Sequence, residues 1–209
     1  MLTGAILAGG QSRRMGGRHK GLLPFVNESI VERQIRTMKQ LCAEVILVTN
    51  DPRSYLPILG SSIRIITDYI PGKGPLSGMH AALTLATHSD IWVVGCDMPL
   101  ISSAVAEQLW KVKRERRSAA AVPSMAGKLH PLHGVYDKRS AGEIEKLLDI
   151  KEYRVMTFLN RICYNGVDLQ QLEAPAEQLS CVANVNTPEE YERIISLYDA
   201  ALASQTSNA

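Results

Sequence analysis

The sequence predicts an α/β fold with a mostly parallel central sheet, helices on both faces and one antiparallel hairpin. Short apolar runs that suit buried strands begin at residues 5, 44 and 90, and helical periodicity recurs between them. With 209 residues, 45% of them hydrophobic, the chain is long enough to form one such domain with a sizeable core. We expect residues 1–203 to form that single domain and residues 204–209 to be a disordered tail.

The first apolar run, residues 5–8, leads into a glycine-rich and cationic segment at residues 9–20. Glycines allow main-chain N–H groups to approach a ligand closely, and they tolerate positive φ. Arg13, Arg14 and Lys20 add positive charge to the same segment. The segment therefore suits an anion such as a phosphate group.

Two well-known phosphate motifs do not fit this segment. A P-loop has four residues between its glycines, whereas Gly10 and Gly16 enclose five. The dinucleotide motif G-x-G-x-x-G is absent because Gly9 and Gly10 are adjacent. From composition alone, a glycine turn with solvated arginines explains the segment equally well.

Helices and strands alternate over the next 50 residues. After a short extended piece at residues 22–26, an apolar stripe predicts a core-facing helix; it consists of Val31, Ile35, Met38 and Cys42. Residues 44–50 form an apolar run too continuous for a sheet with one wet face, so they predict a parallel strand covered on both sides. A short helix at residues 54–59 and a strand at residues 63–67 should follow.

Polar residues stand where these strands end. Asn50 follows the second strand, and Asp68 follows the third. Ligands of open α/β sheets lie outside the carboxyl ends of the strands. We therefore expect residues 7–9, Asn50 and Asp68 to converge on one crevice if the three strands are neighbours.

Residues 70–78 have the composition of a loop, and a helix containing Met79, Leu83 and Ala86 should follow them. The next strand, residues 90–95, is followed by Asp97 and then by a proline that prevents continuation. An isolated carboxylate at that position is costly to desolvate, so it should be paired, hydrogen-bonded or bound to a metal. A cap on the following helix is the structural alternative.

The second half begins with a predicted helix at residues 102–117, whose basic end is explained by the helix dipole and by solvation. Residues 119–123 and 132–136 then predict two strands that flank a turn at residues 126–128. A further helix should span residues 139–149.

His130 and His133 are three residues apart, which on a strand places them on opposite faces and argues against a shared metal. At the end of the chain, Thr187, Pro188 and Glu190 predict a capping box for the last helix. Its apolar residues should pack on the sheet; they are Tyr191, Ile194, Ile195 and Tyr198.

The segment L-A-G-G-Q-S-R-R-M-G-G at residues 7–17, followed by K-G-L-L from Lys20, resembles the N-terminal motif of the molybdenum cofactor guanylyltransferases, the MobA family. Later segments match that family in order and extend the resemblance from Gly4 to about Tyr191: G-P-L-S-G at 74–78, C-D-M-P at 96–99, H-P at 130–131, R-V-M-T-F-L at 154–159 and N-V-N-T-P-E-E at 184–190. His19 departs from the family, which commonly has an acidic or small residue before the lysine.

The resemblance implies a Rossmann-like nucleotidyltransferase that uses Mg²⁺. Its reaction would transfer GMP from GTP to the terminal phosphate of molybdenum-molybdopterin, giving the guanine dinucleotide cofactor and pyrophosphate. The implied catalytic residues are Arg13, Arg14, Lys20 and Asp97, and Asp97 would also hold the metal. The implied nucleotide-binding residues are Leu7, Ala8, Gly9, Gly10, Lys20, Asn50, Asp68, Gly78 and Asp97. The implied acceptor-binding residues are His130, Arg154, Asn184 and Asn186.

Composition restricts the partners and the compartment. A net charge of +2 is too small to indicate a nucleic-acid surface, and no apolar run reaches the length of a membrane span. The four cysteines are widely spaced and include no C-x-x-C pair, which points to reduced thiols and a cytoplasmic protein. Partners would be GTP and molybdenum-molybdopterin, together with other cofactor-biosynthesis proteins or recipient apo-enzymes.

Three alternative functions remain open on the sequence. A CTP-dependent cytidylyltransferase acting on molybdopterin or another phosphorylated acceptor would share the fold and the mechanism. A metal-dependent glycosyltransferase usually carries D-x-D, but Gly95 and Pro99 stand two residues from Asp97. A non-catalytic nucleotide-binding module would need only the glycine-rich, cationic segment at residues 9–20.

Overall fold

A computed structural model describes residues 1–9, 19–68, 70, 72–172 and 180–206, with side chains as far as residue 199. Gly10, Arg13 and Arg14 of the predicted site lie outside the described residues. The strands are β1 (Leu2–Leu7), β2 (Pro24–Phe25), β3 (Glu28–Ser29), β4 (Glu44–Val48), β5 (Arg64–Ile66), β6 (Asp90–Gly95), β7 (Ala120–Met125), β8 (Lys128–Leu129), β9 (His133–Asp137) and β10 (Tyr164–Asp168). The helices are α1 (Ile30–Met38), α2 (Pro52–Leu59), α3 (Pro75–Leu85), α4 (Ser103–Glu115), α5 (Ala141–Asp149), α6 (Val155–Leu159) and α7 (Pro188–Thr206).

The central sheet has the strand order β10-β7-β9-β6-β1-β4-β5, and β8 pairs with β7 at one end. Neighbouring strands from β6 to β5 run parallel, whereas β9 is inserted antiparallel between β6 and β7. β2 and β3 form a separate two-stranded antiparallel sheet. The predicted fold class, a mostly parallel Rossmann-like sheet with an antiparallel hairpin, is confirmed.

Helices cover both faces of this sheet, as the continuous apolar strands predict. Alternate residues of β4 contribute to two different cores: Val45 and Leu47 to one, and Ile46 and Val48 to the other. The first core includes apolar residues of α1, α2 and α4, and the second includes those of α3, α5 and α6. Trp92, fully buried on β6, is the largest side chain at the centre.

Several predicted boundaries in the first half were wrong. Helix α1 begins one residue after Ser29, which forms a capping box with Glu32, and it ends at Met38, so Cys42 lies beyond it although it is buried. Helix α3 begins at Pro75, so Gly78 belongs to its first turns instead of to a loop. Proline tolerates the first position of a helix because its missing N–H has no partner there.

The second half also differs from the prediction in three respects. Strand β10 was not predicted, because its Y-N-G-V-D sequence carries little apolar signal, yet it pairs parallel with β7. Lys113, in the basic end of α4 that we expected to be solvated, is 5% exposed, and its Nζ lies 2.6 Å from Oδ1 of Asp90. His130 lies just outside a strand, so the strand-face argument does not apply to it.

The predicted cap of α7 is present, since the Glu190 N–H donates to Oγ1 of Thr187 at 3.2 Å. The Glu190 carboxylate accepts from the Asn186 N–H at 2.7 Å, one residue before the expected donor. The apolar face of α7 packs with Phe25 of β2 and with Leu23 just before it, not on the central sheet as predicted. No helix in the described part of the chain combines the length and apolarity needed to cross a membrane.

Candidate functional site

Four strands of the central sheet end in register at the same edge. Leu7 of β1 pairs with Gly95 of β6 on one side and with Val48 of β4 on the other, and Val48 pairs with Ile66 of β5. The segments that follow these strands therefore leave the sheet side by side. This edge is where an open parallel α/β sheet binds its ligand.

A cavity of about 250 Å³ lies at this edge. Leu7, Val48 and Gly95 form part of its wall, and so does Leu132 from the segment before β9. Most of the predicted nucleotide residues that the structure describes line it: Leu7, Gly9, Lys20, Asp68, Gly78 and Asp97. Ala8 is buried, and its N–H donates to the Val48 carbonyl, so it supports the wall from behind.

Lys20 and Asp97 meet on the wall of the cavity. Nζ of Lys20 lies 3.4 Å from Oδ2 of Asp97, and it donates to Oδ1 of Asn186 at 2.6 Å. Lys20 is the last residue of the glycine-rich segment at residues 9–20, and it begins a 3₁₀ turn that ends at Leu22. Both charged side chains are about one-fifth exposed, so they face each other from partly desolvated positions while remaining accessible from the cavity.

Asp97 is held by its backbone as well as by its neighbours. The Cys96 N–H donates to the Leu7 carbonyl at 3.0 Å, and the Asp97 carbonyl accepts from the Val185 N–H at 2.7 Å. A Cβ added to Gly95 would lie 2.7 Å from Oδ1 of Asp97. Glycine at position 95 therefore leaves the space that this carboxylate occupies.

Asn50 and Asp68 form the far end of the site. Nδ2 of Asn50 donates to Oδ2 of Asp68 at 3.1 Å, and a Cβ on Gly9 would lie within 4 Å of both side chains. Oδ1 of Asp68 is shielded from solvent and has no hydrogen-bond partner among the described residues. A shielded carboxylate oxygen that has not been satisfied is a position where a ligand N–H would be stabilised.

The start of helix α3 closes the cavity from a third side. Gly74 and Pro75 line it at the beginning of the helix, and Gly78 lines it about one turn later. Gly74 has φ of 74°, a conformation that favours glycine. A helix N-terminus carries partial positive charge, which is favourable for an anionic ligand.

His19, the residue that departs from the family motif, is also paired. Its Nε2 lies 3.0 Å from Oδ2 of Asp51, and its ring makes an edge contact with Tyr55. Asp51 follows Asn50 and precedes α2. The pair thus connects the end of the glycine-rich segment at residues 9–20 to the loop that follows β4.

Cys96 is the thiol on the described cavity wall. Burial raises the pKa of Cys96 to about 12, and the nearby Asp97 carboxylate acts in the same direction. The thiol therefore stays protonated at neutral pH and is a weak nucleophile. Burial lowers the pKa of His133 to about 4, so this core imidazole is neutral at the same pH.

The predicted acceptor residues occupy different places. Asn186 binds Lys20, as described above, whereas Asn184 is exposed. His130 is half-buried two residues before Leu132, and burial lowers its pKa, with a further contribution from Lys128. These three residues lie on two segments that lead to the cavity.

Arg154, the fourth predicted acceptor residue, stands immediately before α6. Its guanidinium forms a two-pronged ion pair with the carboxylate of Glu152, and its side chain is 77% exposed. It is not among the residues that line the cavity.

Sequence reasoning missed two residues that support the site. Leu132 lines the cavity because β9 is inserted beside β6, and no local motif predicts that insertion. Gln34 is fully buried in α1, and its side chain contacts the turn around Asp97. The sequence does contain an indication of this role. Gln34 is a polar residue three positions after Val31 in an otherwise apolar stripe, and a polar side chain buried there requires a hydrogen bond.

Comparison with known proteins relates most of the chain to one family. The family described as "MobA-like NTP transferase domain" matches residues 4–165. The probable molybdenum cofactor guanylyltransferase of Pelotomaculum thermopropionicum is 37% identical over 188 residues, covering 90% of this chain and 89% of that protein. The molybdenum cofactor guanylyltransferase of Desulfosudis oleivorans is 31% identical, covering 92% of this chain and 93% of that protein.

A solved structure agrees with the fold. The crystal structure of molybdopterin-guanine dinucleotide biosynthesis protein A from Archaeoglobus fulgidus superposes with a TM-score of 0.81 at 23% identity. The match covers 95% of this chain and 99% of that one. The chain order of strands and helices is therefore shared over nearly the full length of both proteins.

Proposed function

Because the chain belongs to the MobA-like NTP transferase family, we propose that it transfers the GMP part of GTP to the terminal phosphate of molybdenum-molybdopterin. An oxygen of the acceptor phosphate forms a bond to the α-phosphorus of GTP. The bond from that phosphorus to the bridging oxygen of the β-phosphate breaks, and pyrophosphate leaves. The products are the guanine dinucleotide form of the cofactor and pyrophosphate.

One observation carries this proposal. Lys20 and Asp97 face each other on the wall of a single cavity at the carboxyl edge of the sheet. Phosphoryl transfer needs little covalent chemistry from a protein, and it depends on alignment and on the neutralisation of charge. A cation and a carboxylate that lie side by side on the wall of one cavity can contact the phosphates of a bound nucleotide and its divalent ion, and so supply both requirements.

The glycine-rich segment at residues 9–20 contributes three cationic residues to the proposal. Lys20 is held by Asn186 at 2.6 Å, so its ammonium group is pre-positioned on the cavity wall. We assign it to the phosphate oxygens of GTP, where a charge-assisted hydrogen bond is strongest. Arg13 and Arg14 are assigned to the triphosphate on sequence grounds.

The donor chemistry at Asp97 fits Mg²⁺. Magnesium takes oxygen ligands and commonly uses one or two carboxylates, with substrate phosphates and waters completing its octahedron. The described residues hold no cluster of three or more acidic, histidine or cysteine side chains, so Asp97 would act with the phosphates as co-ligands. The glycine at position 95 leaves room for its carboxylate. When bound, the ion would offset negative charge on the phosphate oxygens.

Asp68 supports GTP over CTP as the nucleotide. The Watson–Crick edge of guanine presents two adjacent N–H donors, whereas that of cytosine presents one donor beside two acceptors. A carboxylate only accepts hydrogen bonds, and Oδ1 of Asp68 is shielded and unsatisfied among the described residues. Its second oxygen is fixed by Asn50, which sets the orientation of the group.

No covalent enzyme intermediate is part of the proposal. The acceptor phosphate carries its own nucleophilic oxygen, and the Cys96 thiol on the cavity wall stays protonated because burial raises its pKa to about 12. We assign the acceptor pterin to the side of the cavity towards the segments of His130 and Asn184, and Arg154 is assigned to it from the family resemblance. The segments that carry the first two residues lead directly to Leu132 and Asn186.

The proposal also covers domain organisation, location and partner proteins. We propose that residues 1–203 form one domain and that the tail begins at residue 204; the backbone of α7 extends to Thr206. We also propose a cytoplasmic location, supported by four widely spaced cysteines. Cofactor-biosynthesis proteins or recipient apo-enzymes would supply the acceptor and take the product.

The proposal is tested by measuring pyrophosphate release with each of the four nucleoside triphosphates, with and without molybdenum cofactor. We expect release with GTP only when the acceptor and Mg²⁺ are present. Equal or faster release with CTP would favour a cytidylyltransferase. Binding of Mg·GTP without release in the presence of acceptor would favour a nucleotide-binding module and contradict the proposed transfer.

A further inference from the structure

Gln34 is a polar residue in the middle of the buried face of α1. Its exposed fraction is 0%, and it lies between Val31 and Ile35, which belong to the apolar core. A buried amide costs free energy unless its polar atoms are hydrogen-bonded. Its position in α1 therefore needs an explanation beyond helix packing.

The side-chain amide of Gln34 donates two hydrogen bonds to one backbone turn. Nε2 donates to the Gly95 carbonyl at 2.8 Å and to the Met98 carbonyl at 2.9 Å. Asp97 lies between these two acceptors in the chain. The amide orientation is fixed, because an amide oxygen facing two carbonyl oxygens would be repelled.

Other contacts hold the same turn from different directions. Nε of Arg33, the neighbour of Gln34, donates to the Pro99 carbonyl at 2.8 Å, and its guanidinium lies 4.3 Å from the ring centre of Tyr198. The Val185 N–H donates to the Asp97 carbonyl at 2.7 Å. The backbone of Asp97 is thus fixed by two elements that come from distant parts of the chain.

We propose that Gln34 is a positioning residue that sets the location of the Asp97 carboxylate on the cavity wall. This inference rests on the proposed function, because it assigns Gln34 a role in GMP transfer. Gln34 contacts the turn but is not among the residues that line the cavity, so it acts through Asp97 and not on the nucleotide. Phosphoryl transfer is sensitive to displacements of about 1 Å in the groups that align it.

Loss of the amide has a definite physical consequence. Without Nε2, the carbonyls of Gly95 and Met98 lose a buried donor, and the turn relaxes towards other partners. The Asp97 carboxylate shifts with the turn, because only Cys96 separates Asp97 from Gly95. The rate of transfer should therefore fall more than the affinity for the nucleotide.

Gln34→Met tests the inference, because methionine is close to glutamine in size and shape but has no N–H donor. We expect Gln34→Met to lower kcat by about tenfold or more while KM for GTP changes by less than about threefold. Ile35→Val is the matched control; it removes one core methyl group from the neighbouring position of α1. It should lower the melting temperature slightly and leave kcat within about twofold of the unchanged enzyme.

A double-mutant cycle separates positioning from general stability. If Gln34 acts through Asp97, adding Gln34→Met to Asp97→Asn should slow the enzyme by no more than about twofold. Multiplicative losses in the double variant would overturn the inference, and so would a kcat for Gln34→Met within twofold of the unchanged enzyme. If Gln34→Met does not fold, Gln34→Asn replaces it in the same cycle, since its shorter amide cannot reach both carbonyls.

A binding measurement distinguishes failure of the inference from failure of the proposed function. The ratio of GTP dissociation constants without and with Mg²⁺, measured by calorimetry, reports the contribution of Asp97 without any turnover. Gln34→Met should reduce this ratio in the same direction as Asp97→Asn, whereas Ile35→Val should not. An unchanged ratio in Gln34→Met contradicts the inference even if the native protein shows no transferase activity.

Discussion

The ammonium group of Lys20 lies 3.4 Å from the carboxylate of Asp97, across 77 positions of sequence. β1 and β6 are neighbours in register, so the segments that follow them leave the sheet side by side. The side-chain oxygen of Asn186, two residues before α7, accepts a hydrogen bond from the same ammonium group at 2.6 Å. Three distant segments therefore meet at one point, and the proposed chemistry depends on that meeting.

Replacement of Asp97 by asparagine should remove most of the transferase activity. The amide keeps the shape but loses the negative charge that would hold a divalent ion. We expect kcat to fall by more than about a hundredfold, on the order of 3 kcal/mol of transition-state stabilisation. The rate of pyrophosphate release at saturating Mg·GTP measures this change in kcat. Asp149→Asn, at an exposed carboxylate on α5, is the control, and equal turnover by both variants would remove the assigned role of Asp97.

An added methyl group at Gly95 should disturb the same carboxylate without changing its charge. The new Cβ would lie 2.7 Å from Oδ1 of Asp97, which forces the carboxylate to move. We expect kcat in Gly95→Ala to fall about tenfold with smaller changes in KM. Gly142→Ala is the control, because a Cβ on that exposed residue of α5 has no neighbour within 4 Å among the described residues. If Gly95→Ala retains full turnover, the tight space around Asp97 does not matter for catalysis.

Asp68 should decide which base is accepted. Asp68→Asn exchanges one acceptor oxygen for an N–H₂ donor, which guanine cannot satisfy with its adjacent N–H groups. We expect kcat/KM for GTP to fall by about tenfold to a hundredfold, while the value for CTP falls less or rises. Initial rates with the two nucleotides give the ratio directly. A GTP to CTP ratio equal to that of the unchanged enzyme would place base selection elsewhere.

The buried imidazole of His133 should make stability depend on pH. Burial lowers the pKa of His133 from 6.5 to about 4, so between these values the unfolded chain binds a proton that the folded chain excludes. The free energy of unfolding must then decrease as the pH falls through this window, by roughly 2 kcal/mol at pH 5. Above pH 6.5 the imidazole is neutral in both states and adds no pH dependence.

His133→Gln isolates this effect, because glutamine can still accept the hydrogen bond that Nε2 of His133 accepts from the Ser102 N–H. Urea unfolding at pH 7 and pH 5 should show a smaller loss of stability in the variant than in the unchanged protein. His80 and His130 also have lowered pKa values, but they contribute equally to both proteins. Identical losses in the two proteins would show that His133 does not titrate in this way.

The strand ends of the site could be predicted from the sequence because they depend on local signals. A polar residue after a continuous apolar run marks the carboxyl end of a parallel strand, and this predicted one crevice for residues 7–9, Asn50 and Asp68; of these, Leu7, Gly9 and Asp68 line the cavity. The cationic character of residues 9–20 pointed to Lys20, and the resemblance to a family motif added Gly78, whose position no periodicity predicts. Both of these residues line the cavity.

Other features could not be predicted because they depend on contacts between distant segments. Strand β10 is defined by its pairing with β7, and the hydrogen bond of Asn186 to Lys20 crosses 166 positions. Lys113 is buried beside two carboxylates from distant strands, Asp90 of β6 and Asp137 of β9. The role of Gln34 could not be predicted for a similar reason. Its hydrogen-bond partners are backbone carbonyls, which every residue type has, so no sequence pattern identifies them.

The central claim is that magnesium triphosphate binds in the cavity in contact with both Lys20 and Asp97, and a crystal structure with Mg²⁺ and a non-reactive GTP analogue tests it most directly. We predict phosphate density within hydrogen-bonding distance of Nζ of Lys20, a metal ion at about 2.1 Å from the Asp97 carboxylate, and the base next to Asp68. A nucleotide bound at another surface, or one whose triphosphate contacts neither Lys20 nor Asp97, would contradict the account.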